Sequence, residues 1–201
     1  GVRTADGKTY TARYIVANTD PYQLADKLIG RENLPAKYLA KIDAMKPANS
    51  LFGVYIGLNI DLKALGYNDT EIFYNTYRES MKNYEAMMKG DFDKGAVAIT
   101  IYSNLGDPVY APKGKSVVKL DAYSDISVWP KDRAEYNKLK AQKVDELIAL
   151  AARVIPELKD PKNIIVKEGY TPRTIEHFTM NKGGVVYGFD LTPDQWEKVP
   201  N

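Results

Sequence analysis

The sequence contains no cysteine and one histidine, His177. Disulfides, thiol nucleophiles and cysteine-ligated metals are therefore excluded, as are His-rich metal sites and any triad that needs a second imidazole. The lack of cysteine fits a reducing compartment, and a cytoplasmic location is expected. Charge of one sign is also lacking. The chain has 28 Lys and Arg against 26 Asp and Glu, a formal net charge of +2, without the clustered basic surface that a nucleic-acid partner requires. No apolar run approaches the roughly 18 residues of a membrane span. There is no GxGxxG after a strand, no GxxxxGK(S/T), no HExxH and no GxSxG. Asp91, Asp93 and Asp107 lack calcium-loop spacing, so no metal is expected. Internal repeats and low-complexity stretches are absent.

What remains is an ordinary globular composition, 44% hydrophobic and 27% charged over 201 residues. That is enough chain to bury a core as one domain, or one domain with an appended arm. The sequence opens on Gly1-Val-Arg-Thr-Ala-Asp-Gly7, a strand and turn, which reads as a cut or processed boundary. Asp6-Gly7 marks a hairpin turn, and Thr9 to Val16 is expected as its second strand. Asp20 before Pro21 is an N-cap followed by a first-turn proline, so a helix is expected from Pro21 to Ile29. A second helix spans about Pro35 to Met45.

The clearest strand is Leu51 to Ile60. Phe52, Val54, Ile56, Leu58 and Ile60 share one face, and Leu51, Gly53, Tyr55, Gly57 and Asn59 the other. The two glycines would admit a flat ligand or another backbone, or mark a bulge. Further strands are expected at Glu71 to Asn75, Ala96 to Ser103, Ser116 to Tyr123 and Asn163 to Tyr170. Helices are expected at Tyr77 to Lys89 and Asp132 to Val154. The latter carries Tyr136, Val144, Leu147, Ile148, Ala151 and Val154 on one face. The fold class is α+β, a mostly antiparallel mixed sheet flanked by helices.

Chemistry is sparse. Glu176 and His177 would point to opposite faces of a strand, which makes a poor acid–base pair. His177 alone is a candidate proton donor, with a surface or structural role as the alternative. Gly183-Gly184 could cradle an anion or simply turn the chain. Fifteen tyrosines suit half-buried sheet surfaces or a cleft.

Four segments in order resemble the phytoene desaturase, carotenoid isomerase and retinol saturase family of FAD-dependent oxidoreductases. Gly1 to Gly7 with Ala12 and Ile15-Val-Ala-Asn-Thr-Asp-Pro21 is similar to the family's G-V-x-x-x-D-G hairpin and the strand after it. Ser50 to Asn59 resembles the first long strand of its substrate domain. Asp107-Pro108 with Ala111-Pro-Lys-Gly-Lys115 resembles its D-P-x-x-A-P-x-G loop. Thr171-Pro-Arg-Thr174 with Asn181 and Gly184-Val-Val-Tyr-Gly188 resembles T-P-x-T followed by N-x-x-G-x-x-Y-G. Arg13, His177 and Met180 depart from the family's usual aspartate, arginine and glycine.

The resemblance implies that residues 1–20 end the middle section of a flavin domain and that 21–201 form the substrate domain. Residues 171–201 would lead back toward a C-terminal flavin segment. It implies an isoprenoid, carotenoid or retinoid-like apolar substrate, and FAD held mainly by N- and C-terminal segments of a longer protein. No cofactor is expected on this chain alone, which should be inactive. Tyr55, Gly57, Thr171, Thr174 and Tyr187 are the candidates for the substrate side and Asn181 and Gly184 for the cofactor side. No catalytic residue is assigned. Peripheral membrane association of the longer protein stays open. Two other readings remain: a non-catalytic module for a lipid-like ligand or a partner, and an amine-oxidase-like flavoprotein domain, which should show acidic or aromatic-cage residues at its cleft.

Overall fold

The computed structural model describes residues 1–196, so the last five positions of the expected 171–201 segment lie outside the described residues. A short hairpin pairs β1 (Val2–Arg3) with β2 (Thr9–Tyr10). The central strands are β3 (Ser50–Leu58), β4 (Glu71–Asn75), β5 (Ala96–Ile101), β6 (Ser116–Ser124) and β7 (Ile164–Tyr170). They form a five-stranded, wholly antiparallel sheet in the order β4-β5-β6-β3-β7. The fold is α+β, as the mixture of helical and period-two patterns implied.

Register decides which side chains meet. Phe52, Val54 and Ile56 of β3 lie opposite Ala122, Leu120 and Val118 of β6. Ile99 and Ile101 of β5 continue that row. All of these side chains are buried, because period two sends each to the same side of the pleat. The long helix α4 (Arg133–Ala151) covers this face with Val144, Leu147, Ile148 and Ala151. Asp132 caps it, its Oδ1 accepting from the Ala134 and Glu135 N–H groups at 3.0 and 2.9 Å. Helix α3 (Ser80–Lys89) adds Met87 to the same core.

An aromatic corner closes the core. The Phe52 ring lies 4.6 Å from Phe92 and 5.0 Å from Trp129. Trp129 Nε1 donates to Ser124 Oγ at 2.9 Å, which satisfies its one polar group in an otherwise apolar site. A smaller cluster holds helices α1 (Pro21–Gln23, continued by a π-type turn over Leu24–Ile29) and α2 (Ala36–Ala44). Its members include Tyr22, Ala25, Ile42 and Met45, all buried, with Tyr22 Oη donating to the Met45 carbonyl at 2.9 Å. Asp20 Oδ1 accepts from Gln23 N at 2.9 Å, the N-cap expected before Pro21.

Two expectations are corrected. The N-terminal hairpin is confined to β1 and β2, and 11–16 do not continue as a strand. Among the described residues no strand lies opposite them, so their backbone has no ladder to join. Val16 is accordingly 94% exposed. Glu176 and His177 lie on a helix, α5 (Pro172–Thr179), not on a strand. Pro172 at its first position and the cap at Thr171 begin the helix there. A final short helix, α6 (Pro193–Trp196), is held by its buried Gln195, whose Nε2 donates to the Asp190 carbonyl at 2.8 Å.

Candidate functional site

The second face of the sheet is only partly covered. Alternation places Leu51, Gly53, Tyr55 and Gly57 of β3 on it, with Lys119, Asp121 and Tyr123 of β6 and Glu168 and Tyr170 of β7. Tyr55 is 47% exposed and Phe73 of β4 is 71% exposed. Over the β4-β5-β6 half, this face and α3 enclose a cavity of about 560 Å³. Leu51, Phe73, Met81, Tyr84, Ala98 and Tyr123 supply much of its apolar lining, while Asp121 and Glu71 bring carboxylates to it. Its size and mixed lining are those of a small-molecule site.

A polar cluster stands at the sheet's centre. Gly53 of β3 is paired with Asp121 on one side and with Tyr170 on the other. A Cβ at Gly53 would lie 2.5 Å from the Leu120 carbonyl oxygen and 2.6 Å from Tyr170 Cε1. The missing side chain therefore lets the Tyr170 ring lie across β3, and its hydroxyl donates to Asp121 Oδ1. Asp121 Oδ2 accepts from Lys119 Nζ at 2.9 Å, with each side chain only 18% exposed. Lys119 in turn stands 5.7 Å from the Tyr55 ring centroid and 5.5 Å from that of Tyr170, within cation–π range.

The electrostatics reflect that packing. Burial, reinforced by the hydrogen bond and charge of Asp121, pushes the Tyr170 phenol far above its ordinary range. Burial pulls the Lys119 ammonium down, but Asp121 more than offsets this and leaves it above its usual value. The cluster is thus one cation, one carboxylate and one neutral phenol, with hydrogen-bond donors in excess on Lys119.

The residues singled out from sequence fall into two groups. Tyr55 lies on the open face, and Tyr187, 64% exposed, lines the cavity. Gly57 lies on the same face at a β-bulge, where the pairing with β7 shifts between Gly57 and Leu58. A Cβ there would come 2.9 Å from Val166 Cγ1, so this glycine serves a close strand contact.

The second group builds the end of β7 and the turn beyond α5. Thr171 and Thr174 form a reciprocal capping box on α5, and Tyr136 Oη lies 2.9 Å from Thr171 Oγ1. Gly184 packs so closely on this helix that a Cβ would sit 2.0 Å from the Pro172 carbonyl oxygen. Its own carbonyl accepts from the Ser50 hydroxyl. Asn181 Nδ2 donates to the Val185 carbonyl at 2.9 Å. The T-P-x-T…N-x-x-G set thus acts as a latch. It carries 185–190 back alongside 46–50, where Ala48 N donates to the Gly188 carbonyl at 2.8 Å. Thr174 also borders a second concavity, of about 470 Å³, with His177, Arg133, Lys140 and Arg173.

Lys119, Asp121, Phe73, Tyr123 and Tyr170 were not singled out from sequence. One signal could have found the first two. In Val117-Val-Lys-Leu-Asp-Ala122 the charges alternate with apolar residues on a strand, so both must share the face opposite the core.

The implied cofactor can be tested against the glycine pair. Gly183 N donates to Glu176 Oε1 at 3.0 Å and Gly184 N to the Asn181 carbonyl at 2.9 Å. These N–H groups are consumed within the turn. Gly183-Gly184 is therefore a turn, and its two N–H groups are not free to cradle a diphosphate. Among the described residues no helix is long and apolar enough to cross a membrane.

No family model matches the chain. Curated proteins do. A prolycopene isomerase, described as chloroplastic, from Daucus carota is 25% identical over 190 residues, covering 94% of this chain and 29% of that protein. Its counterpart from Arabidopsis thaliana, also chloroplastic, is 26% identical over 194 residues, covering 94% and 30%. A 4,4'-diaponeurosporene oxygenase from Staphylococcus aureus (strain MW2) is 25% identical over 194 residues, covering 94% and 36%. The chain thus spans about a third of the length of the curated relatives it matches. The plant relatives' location differs from the cytoplasm expected from composition. Similarity carried along 94% of the chain, by isomerase and oxygenase alike, points to the carotenoid desaturase and isomerase family of FAD oxidoreductases.

Proposed function

We propose that this chain is the substrate-side portion of an FAD-dependent oxidoreductase acting on an isoprenoid, carotenoid or retinoid-like apolar substrate. In this reading residues 1–20 belong to the flavin domain's middle section and 21–201 to the substrate domain. The observation that carries it is the asymmetry of the central sheet. One face is sealed by helices, while the other offers Phe73, Tyr123 and Tyr187 around a cavity of about 560 Å³. Apolar surface held open in this way suits an apolar ligand. The flavin, held by other parts of the longer protein, supplies the redox chemistry. The residues here bind the substrate and keep water from it.

The amine-oxidase-like reading is less well supported. The two tyrosine rings that could cage an amine already flank Lys119, and Asp121 is already paired with it. The test is the visible absorption spectrum of the complete longer protein, before and after denaturation. Flavin bands near one equivalent, with turnover of a polyene, are expected. A colourless, folded protein that ignores added FAD would contradict the proposal and favour the lipid-binding module. The 201-residue chain alone should bind no FAD stably, because the glycine N–H groups are already engaged.

A further inference from the structure

We propose that the concavity between the starts of α4 and α5 binds a phosphate-bearing anion, at a site separate from the cavity on the open sheet face. The hollow measures about 470 Å³. Lys131, Arg133 and Lys140 line it from the α4 side, and Arg173 and His177 from the α5 side. Among the described residues no carboxylate lines it. Four cations thus share one hollow on a chain whose net charge is only +2. Like charges gathered in a concave site raise the local potential, and an anion between them relieves their repulsion.

The partners already present decide how much of this charge is available. Lys140 Nζ is paired with Glu168 at 2.7 Å. Arg173 donates through Nε and Nη2 to the Trp129 carbonyl, at 2.8 and 2.5 Å. That carbonyl is uncharged, so the guanidinium is held in place without being neutralised. Lys131 and Arg133 have no ion pair or side-chain hydrogen bond among the described residues. Asp132 stands between them in sequence, but its Oδ1 is turned to the Ala134 and Glu135 N–H groups as the cap of α4.

Stability does not explain this choice of residues. Arg133 is the first residue of α4 and Arg173 the second of α5, positions where a cation opposes the helix macrodipole and an acid is favoured. Arg173 gains the Trp129 carbonyl there, whereas Arg133 gains no partner from the fold. Phosphate suits the set, because its oxygens can accept from two guanidinium groups and an ammonium at once, while both oxygens of a carboxylate are taken up by one guanidinium fork. The exposed Phe178 ring, which also lines the hollow, offers contact to the organic part of an ester.

The experiment is calorimetric titration of the 201-residue chain with inorganic pyrophosphate at constant ionic strength. Beside it, the chain is sedimented with vesicles of phosphatidylcholine containing phosphatidic acid. Arg133→Glu reverses a charge in the concavity. Lys63→Glu makes the same change in net charge past the Leu58 end of β3, whereas α5 follows β7 toward the other end, where Gly53 pairs with Tyr170. Both side chains are exposed and unpaired among the described residues, and a glutamate in the first turn suits α4, so both variants should fold. Pyrophosphate should bind at one equivalent, about tenfold more weakly to Arg133→Glu and unchanged to Lys63→Glu. Vesicle capture lost in Arg133→Glu alone makes the phosphate that of a lipid headgroup, and pyrophosphate binding without such capture makes it that of a soluble ester. The proposal is overturned if Arg133→Glu weakens neither probe more than Lys63→Glu does, and equally if neither probe binds.

Discussion

The two faces of one sheet obey opposite rules. On the helix-covered face the alternate residues of β3, β5 and β6 are buried, apolar along the middle of each strand from Phe52 to Leu120 and Ile101, with Ser50, Ser116 and Ser124 at the strand ends. On the other face the intervening positions hold glycine, tyrosine, a lysine and an aspartate. The backbone is shared and its hydrogen bonds belong to both faces, so the difference lies in side chains alone. A fold needs one sealed face to be stable. The second face is then free to carry groups that stability would not select, and the unusual chemistry of the chain gathers there.

The largest contrast should appear in truncation. Phe52→Ala removes a fully buried ring from the aromatic corner and should destabilise the chain by about 3–5 kcal/mol in denaturant unfolding. Phe73→Ala, on the open face, should fall within about 0.5 kcal/mol of the parent chain. Equal losses would mean that the second face is core and not a ligand surface.

Glycines sharpen the comparison. Gly53→Ala drives a methyl into the Leu120 carbonyl and the Tyr170 ring, and should cost about 1–3 kcal/mol. Gly57→Ala meets only the movable Val166 side chain and should cost less. Thermal unfolding of the two variants checks the order, and the reverse order would contradict the placement of Tyr170 across β3.

A smaller effect concerns one hydrogen bond. Tyr170→Phe removes a donor from Asp121 and should cost about 1 kcal/mol. Because Asp121 keeps Lys119, the variant should still fold, and its near-ultraviolet dichroism should change through the Tyr55–Tyr170 contact at 5.7 Å.

The smallest is a pH effect. Burial and the hydrogen bond to Glu157 push the Tyr67 phenol up to about 12. A folded-state value raised above the unfolded one means that the native chain holds this proton longer. The associated stability is fully present below the ordinary phenol value of 10.0 and is lost as pH rises through about 12. Tyr170 and Lys119, both raised, act in the same direction. Urea unfolding between pH 9 and pH 12 should show the decline, and Tyr67→Phe should make it shallower.

How much of this could be read from the sequence depends on the range of the interaction. The alternation expected over Leu51 to Ile60 and the cap at Asp20 are local: the strand is Ser50–Leu58, ending two residues before the expected Ile60, and the cap forms at Asp20. That Tyr55 faces away from the core was legible from alternation, whereas Tyr187, which borders the cavity, was named through the resemblance alone. Lys119, Asp121 and Tyr170 were not legible as a cluster, because their meeting depends on Gly53 lying between β6 and β7, a fact of register across three strands. Thr171 and Thr174 show the converse error of emphasis. Threonine at the third helical position, instead of Glu or Gln, hides a capping box, so the pair suggested a site before it suggested a helix start. The strand expected through Val16 rested on the Asp6-Gly7 turn and the alternating, then apolar, run after it, and beyond Tyr10 that run has no strand beside it among the described residues.

The central claim is that the uncovered face receives an apolar ligand, and footprinting by tyrosine-selective labelling tests it most directly. Geranylacetone added to the chain should protect Tyr123 and Tyr187 at the cavity while leaving Tyr14, far along the exposed N-terminal segment, labelled as before. Unchanged labelling at Tyr123 and Tyr187 under conditions where the ligand binds, or protection of Tyr14 in their place, would contradict it.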